Sequence, residues 1–150
     1  MHKKRLRTLI VLVESLLNWK KLSVTELGRG IDLPIQERSG IRRADRFLGN
    51  EEVEKESNGI YLEQLNCLLG KARRPKLIVD WSHIPNTRYY LLPAALVTKG
   101  RALTIYEEVH TEKRFGKCCV EKKFLQKMKE MLPSDCKAIV LTDAGFRNPW

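Results

Sequence analysis

The sequence predicts an α+β chain: a helical N-terminal unit, then a sheet unit with the order β-β-β-α-β. Three observations predict it. Apolar residues recur at helical spacing in the first fifty residues. Two apolar runs, "LIVD" at 77–80 and "IVLTD" at 139–143, each end in an aspartate. Between them lie a hairpin pattern and one amphipathic helical pattern, so a strand arriving through a helix can lie parallel to the first. With 150 residues, 43% hydrophobic and 31% charged, the chain has the character of one full globular domain or two small ones.

The opening "MHKKRLRTLIVLVESLLNW" imitates a secretory leader, but Glu14 interrupts the apolar stretch and no small-residue cleavage site follows. Leu6, Leu9, Ile10, Val13, Leu16 and Leu17 instead form an apolar stripe, predicting an amphipathic core helix. In "LSVTELGRGIDLP", Ser23 and Glu26 have capping-box spacing, and Gly28, Gly30 and Pro34 limit the helix to about two turns. A third helix is predicted in "IQERSGIRRADRFLGN", with Ile41, Ala44 and Leu48 on its apolar side and Gly49 closing it. Gly40 within it costs about 1 kcal/mol relative to alanine. Arg38, Arg42 and Arg46 recur every fourth residue, with Arg43 beside them. Three helices with a break-rich connection and an arginine stripe suggest a helix-turn-helix-like DNA-binding unit, although a solvated charged face gives the same pattern.

Residues 51–75 change tone: an acidic cluster, a turn signal at Asn58-Gly59, a brief helical pattern and a basic segment ending at Pro75. They read as a linker. The expected division is a helical DNA-binding region over 1–72 and a second domain over 73–150.

"KLIVDWSH" carries no alternating polar residue, which predicts a strand covered on both faces. "RYYLLPAALVTKGRALTIYEEVH" predicts a hairpin turning at Lys99-Gly100, with Pro93 demanding an edge position or a bulge. Val120, Phe124, Leu125, Met128, Met131 and Leu132 then share a helical face, lysines lie opposite, and Pro133 ends it. The strand "CKAIVLTD" follows.

That order places Asp80 and Asp143 at the carboxyl ends of neighbouring strands, where open sheets present their ligands. Carboxylates so placed repel each other unless a cation lies between them. Hard oxygen donors on a rigid frame suit Mg²⁺ or Mn²⁺, with substrate phosphate oxygens completing the shell. Each aspartate alone is also an ordinary turn former or helix cap. Trp81, Trp150, Tyr89 and Tyr90 read as packing residues, and His83 as an exposed loop side chain that could serve as a ligand.

The net charge is +10. Residues 1–50 hold 11 Lys and Arg against 5 Asp and Glu, residues 51–75 hold 4 against 5, and the remainder holds 13 against 8. The natural partner of such a balance is a polyanion, nucleic acid ahead of membrane, though many basic proteins bind neither. Cys67, Cys118, Cys119 and Cys136 show no C-x-x-C spacing, so reduced thiols in a cytoplasmic protein are expected, with Cys118 and Cys119 as small buried helix residues.

At "LIVDWS", "RALTIYEE" and "IVLTDAGFRNPW" the chain resembles the bacterial cut-and-paste insertion-sequence transposases of the DDE class. "LGRGIDLP" and "IRRADRFLGN" are similar, more loosely, to that family's helical DNA-binding region. The resemblance implies an incomplete ribonuclease-H-like β-β-β-α-β core in which Asp80 and Asp143 are the first two acids of a catalytic triad holding Mg²⁺ or Mn²⁺. It implies phosphodiester cutting and joining at transposon ends, with double-stranded DNA as partner, assembly with full-length transposase, and no membrane partner. Arg38, Arg42, Arg43 and Arg46 would bind DNA. The family's third acid is a glutamate on a later helix, which residues 1–150 do not supply, so a truncated product with little activity of its own is expected. The alternatives are a DNA-binding remnant without catalysis and a ribonuclease-H-like nuclease.

Overall fold

The computed structural model describes residues 2–143 and 146. The chain is α+β and divides into two compact units, Met1–Gly59 and Ile60–Trp150. That division lies ahead of the 72/73 boundary expected from composition, because the segment read as a linker is a helix.

Helix α1 (Lys3–Trp19) forms as expected, but it buries a different face. Leu12 and Ser15 are the buried residues and Leu9, Val11 and Leu16 pack beside them, while Leu6, Ile10, Val13 and Leu17 are exposed. The choice is steric. A Cβ on Gly30 would stand 2.3 Å from Ser15 Oγ, so the second helix approaches α1 where its side chain is small. Ser15 Oγ donates to the Leu27 carbonyl at 2.8 Å, which satisfies the buried hydroxyl.

Helix α2 (Val24–Arg29) has the predicted cap, Ser23 Oγ accepting from the Glu26 amide at 3.2 Å. The Glu26 carboxylate does not return the bond but pairs with Arg29 and Lys21. Helix α3 (Glu37–Leu48) buries Gly40, Ala44 and Phe47, whereas the expected core residue Leu48 is exposed. Gly40 has a positive role. A Cβ there would meet the Gly28 carbonyl oxygen at 2.3 Å, and one on Gly28 would meet the Ile41 Cα at 2.3 Å, so α2 and α3 touch backbone to backbone.

Helix α4 (Glu51–Leu69) runs through Asn58-Gly59 without turning. Asn50 Oδ1 accepts from the Glu52 amide, and Glu51, Glu52 and Glu54 fill a first turn that favours negative charge. Those contributions, with Leu65 and Leu69 buried in the second unit's core, outweigh one helical glycine.

The second unit is built on a mixed sheet. Strand β1 (Lys76–Val79) is followed by the two-residue β2 (Ser82–His83), β3 (Tyr89–Thr98) and β4 (Arg101–Thr111). Helix α5 (Cys118–Met131) then leads to β5 (Ile139–Thr142). The hairpin turns at Lys99-Gly100, where Gly100 takes φ +82°. β3 pairs β4 antiparallel along one edge; β1 and β2 both pair β3 antiparallel along the other, and β5 lies parallel to β1. The strand carries the anticipated irregularity just after Pro93, a register shift against β4 between Ala94 and Ala95.

One face of this sheet is dry. Leu77, Val79, Leu92, Ala94 and Leu96 pack with Phe124 and Met128 of α5 and with Leu65 and Leu69. The other face is not covered among the described residues: β1 alternates exposed and buried, and Ile78, Ile139 and Leu141 on that face are exposed. The expectation that β1 is covered on both faces is therefore corrected. Three branched apolar residues in a row give no alternation from which to read a one-sided strand.

Candidate functional site

Asp80 follows β1 and Asp143 follows β5. The two strands pair from Lys76↔Ile139 to Val79↔Thr142, and Asp80 and Asp143 are the residues that follow that last pair. Adjacent strands are about 4.8 Å apart, so the two aspartates leave the ladder from neighbouring backbone positions. Both side chains are exposed. Successive residues of a strand alternate faces, so Asp80 and Asp143 belong to the face opposite buried Leu77 and Val79.

The strand breaks where the carboxylate sits. Val79 pairs with Ala94 and Ser82 with Leu91, so the continued register puts Pro93 across from Asp80. Proline has no N–H to give either neighbouring strand. Asp80 Oδ1 instead accepts from the Trp81 amide at 2.8 Å, turning the backbone out of the ladder before β2 resumes it.

Trp81 fixes the other side of the break. It is half-buried, and its indole N–H donates to Glu121 Oε1 at 3.1 Å. Glu121, on α5, is fully buried. The indole also meets the rings of His110 and Phe115 edge-on at 5.5 and 5.4 Å, and Phe115 stacks on Tyr90. Trp81 and Tyr90 are packing residues, as read from the sequence, whereas Tyr89 is half exposed. Trp150 lies outside the described residues. His83 is exposed, with Nε2 2.9 Å from the Thr87 carbonyl, and its position in a short strand replaces the expected loop. Glu121 and His110 were not anticipated. A glutamate three residues before Phe124 and seven before Met128 shares their helical face, and that spacing is the signal that could have exposed it.

Tyr106, buried and hydrogen-bonded to Glu108 at 2.7 Å, has its phenol pushed well above the ordinary range, first by burial and then by that carboxylate. It serves the core and not the site.

The arginines separate into two kinds. Arg38, Arg42 and Arg46 are exposed along α3 and form no ion pair among the described residues. Arg43 is half-buried, and its Nε and Nη2 donate to Thr8 Oγ1 at 3.2 and 3.1 Å, fastening α3 to α1. Arg43 thus has a structural contact that the other three arginines lack.

All four cysteines are free, but Cys119 is exposed and Cys118 only half-buried, contrary to the buried reading. Among the described residues no three His, Cys, Asp or Glu side chains gather as metal ligands, and no helix is long and apolar enough to cross a membrane. No family model, curated protein or solved structure matches the chain.

Proposed function

We propose that the chain is a DDE-class DNA transposase or a fragment of one, with a ribonuclease-H-like core that carries two carboxylates for phosphodiester chemistry and a helical unit that contacts DNA. The observation that carries this reading is the in-register parallel pairing of β1 and β5, after whose last pair, Val79↔Thr142, come the exposed Asp80 and Asp143. The antiparallel β1–β3–β4 arrangement, with β5 reached through α5, supports the same core.

Mg²⁺ or Mn²⁺ fits the donors present. Mg²⁺ is habitually held by one or two carboxylates with water and substrate phosphate supplying the rest, and two hard oxygen donors are what Asp80 and Asp143 offer. Held there, the ion would polarise a phosphoryl oxygen and offset charge at the reacting phosphorus. The chain's own contribution is positioning. Pro93 and the Trp81–Glu121 bond hold the break that turns Asp80 outward, and β5 holds Asp143 at its side. The exposed arginines Arg38, Arg42 and Arg46 supply phosphate contacts that orient DNA without reading its sequence.

Supercoiled plasmid with Mg²⁺ tests the reading. Slow nicking is expected from the wild type and none from Asp80→Asn or Asp143→Asn. Nicking that persists in both variants removes these residues from the chemistry. A second reading, a DNA-binding module without catalysis, is favoured by the absence of a third metal-ligating side chain near the pair among the described residues. It predicts salt-dependent duplex binding by a wild type that never nicks.

A further inference from the structure

A cavity of about 520 Å³ opens at the start of α5, with Lys113, Arg114, Lys117, Lys123 and Lys127 in its wall. One carboxylate shares that wall, Glu108, and it is engaged: Tyr106 Oη donates to it at 2.7 Å and Lys127 Nζ lies 4.0 Å away. Lys113, Arg114, Lys117 and Lys123 are exposed and have no ion pair among the described residues. Four unpaired cations therefore face one concavity whose wall holds a single carboxylate. His110 also lines it at 8% exposure; its Nε2 stands 3.0 Å from Glu108 Oε2 but makes no hydrogen bond of good geometry. The first amides of α5 have no side-chain cap, which adds partial positive charge at the same place.

The cavity's position relative to the carboxylates follows from strand direction. β1 and β4 are both antiparallel to β3, so they run the same way, and β5 runs parallel to β1. Asp80, Asp143 and the chain leaving β4 for α5 therefore lie at one end of the sheet. Trp81, directly after Asp80, touches His110 in the cavity wall.

We propose that this cavity binds a backbone phosphate of the DNA strand whose reacting phosphodiester lies at Asp80 and Asp143. The inference rests on the nucleic-acid reading above and adds the path of the strand: over the end of the sheet, from the carboxylates towards the start of α5. A concave ring of cations suits a discrete tetrahedral anion, whereas a flat anionic membrane is met by a flat basic face with apolar anchors. Contacts of this kind hold the strand in register and carry no base preference.

The test uses the full chain and a fluorescein-labelled duplex, with anisotropy measured at several KCl concentrations. The double variant Lys117→Gln/Lys123→Gln is expected to bind roughly tenfold more weakly and to lower the salt slope by about 2, equally for unrelated sequences. Lys99→Gln/Arg101→Gln removes the same charge at the hairpin turn, the opposite end of the sheet, and is expected to leave the slope unchanged. Wild type without salt-dependent binding overturns the DNA reading and this site with it. Wild-type binding that the cavity pair leaves intact, or that both pairs weaken equally, overturns the site alone. Loss of binding to phosphatidylserine vesicles in the cavity pair, with DNA affinity unaltered, makes the partner a membrane and overturns it too.

Discussion

In the helical unit, backbone meets backbone: Gly28 and Gly40 lie so close that neither has room for a methyl group, and Leu12, Leu27, Ile31, Ala44 and Phe47 form a small core around them. In the sheet unit the elements are held apart by side chains, with Phe124 and Met128 filling the layer between α5 and the strands. The first arrangement tolerates no added atom and the second no removed one. The difference shows where the burial comes from: a single thick apolar layer covers one sheet face, while the opposite face leaves Ile78, Ile139 and Leu141 exposed and ends in Asp80 and Asp143.

The largest expected effect probes the thick layer. Phe124→Ala should lower stability by about 3–5 kcal/mol through lost burial and the cavity left behind, read from urea unfolding. A change under 1 kcal/mol would show that α5 is not the main cover of the sheet. Gly40→Ala comes next, at about 1–3 kcal/mol destabilising, because the methyl must displace the Gly28 carbonyl. Gly59→Ala sharpens the contrast, since nothing lies within 4 Å of its added carbon in α4; a gain of about 0.5–1 kcal/mol is expected. Equal signs for the two glycines would contradict the close α2–α3 crossing. Ser15→Ala should cost about 1 kcal/mol by leaving the Leu27 carbonyl one partner short, and Ser15→Thr should fail to restore it because Gly30 occupies the space.

The smallest effect concerns pH. The Arg5 guanidinium donates to both Glu56 oxygens, at 2.6 and 3.0 Å, and holds that carboxyl below its ordinary range, with partial burial opposing. A depressed carboxyl stabilises the fold at pH above its unfolded value, and the contribution fades as pH falls through the folded value. The Tm difference between wild type and Glu56→Gln should therefore be small at neutral pH, shrink with salt and vanish in acid. A difference constant down to pH 2 would deny the ion pair any role.

Much of this organisation was legible in the residues. Helical periodicity located α1, α3 and α5, the Ser23/Glu26 spacing located α2, and Lys99-Gly100 located the hairpin, because each signal is local. The pairing of β1 with β5 was legible too, since a strand reached through a helix can return parallel to its predecessor. What failed depended on partners distant in sequence. Leu6, Ile10, Val13 and Leu17 make as good a stripe as the buried one, and only the approach of Gly30 to Ser15 decides between them. Arg43 looked like its neighbours until Thr8 supplied an acceptor. Asn58-Gly59 carried the composition of a turn, but a helix anchored at both ends runs through it. At the site, the aspartates were visible as breaks in apolar runs, while Glu121, His110 and the cations around α5 gather only once the chain has folded.

Pro93 has a consequence for how the site could change. A ring lacking a proton donor, placed in the middle strand, dictates where its neighbour is released, and side chains there point alternately up and down. Shifting that imino acid by one position would set it across from Val79 or Trp81, whose side chains face the dry layer, instead of from the carboxylate. Asp80 and Asp143 share a face because β1 and β5 pair in register, so a one-residue slip of either strand would turn its carboxylate to the dry layer.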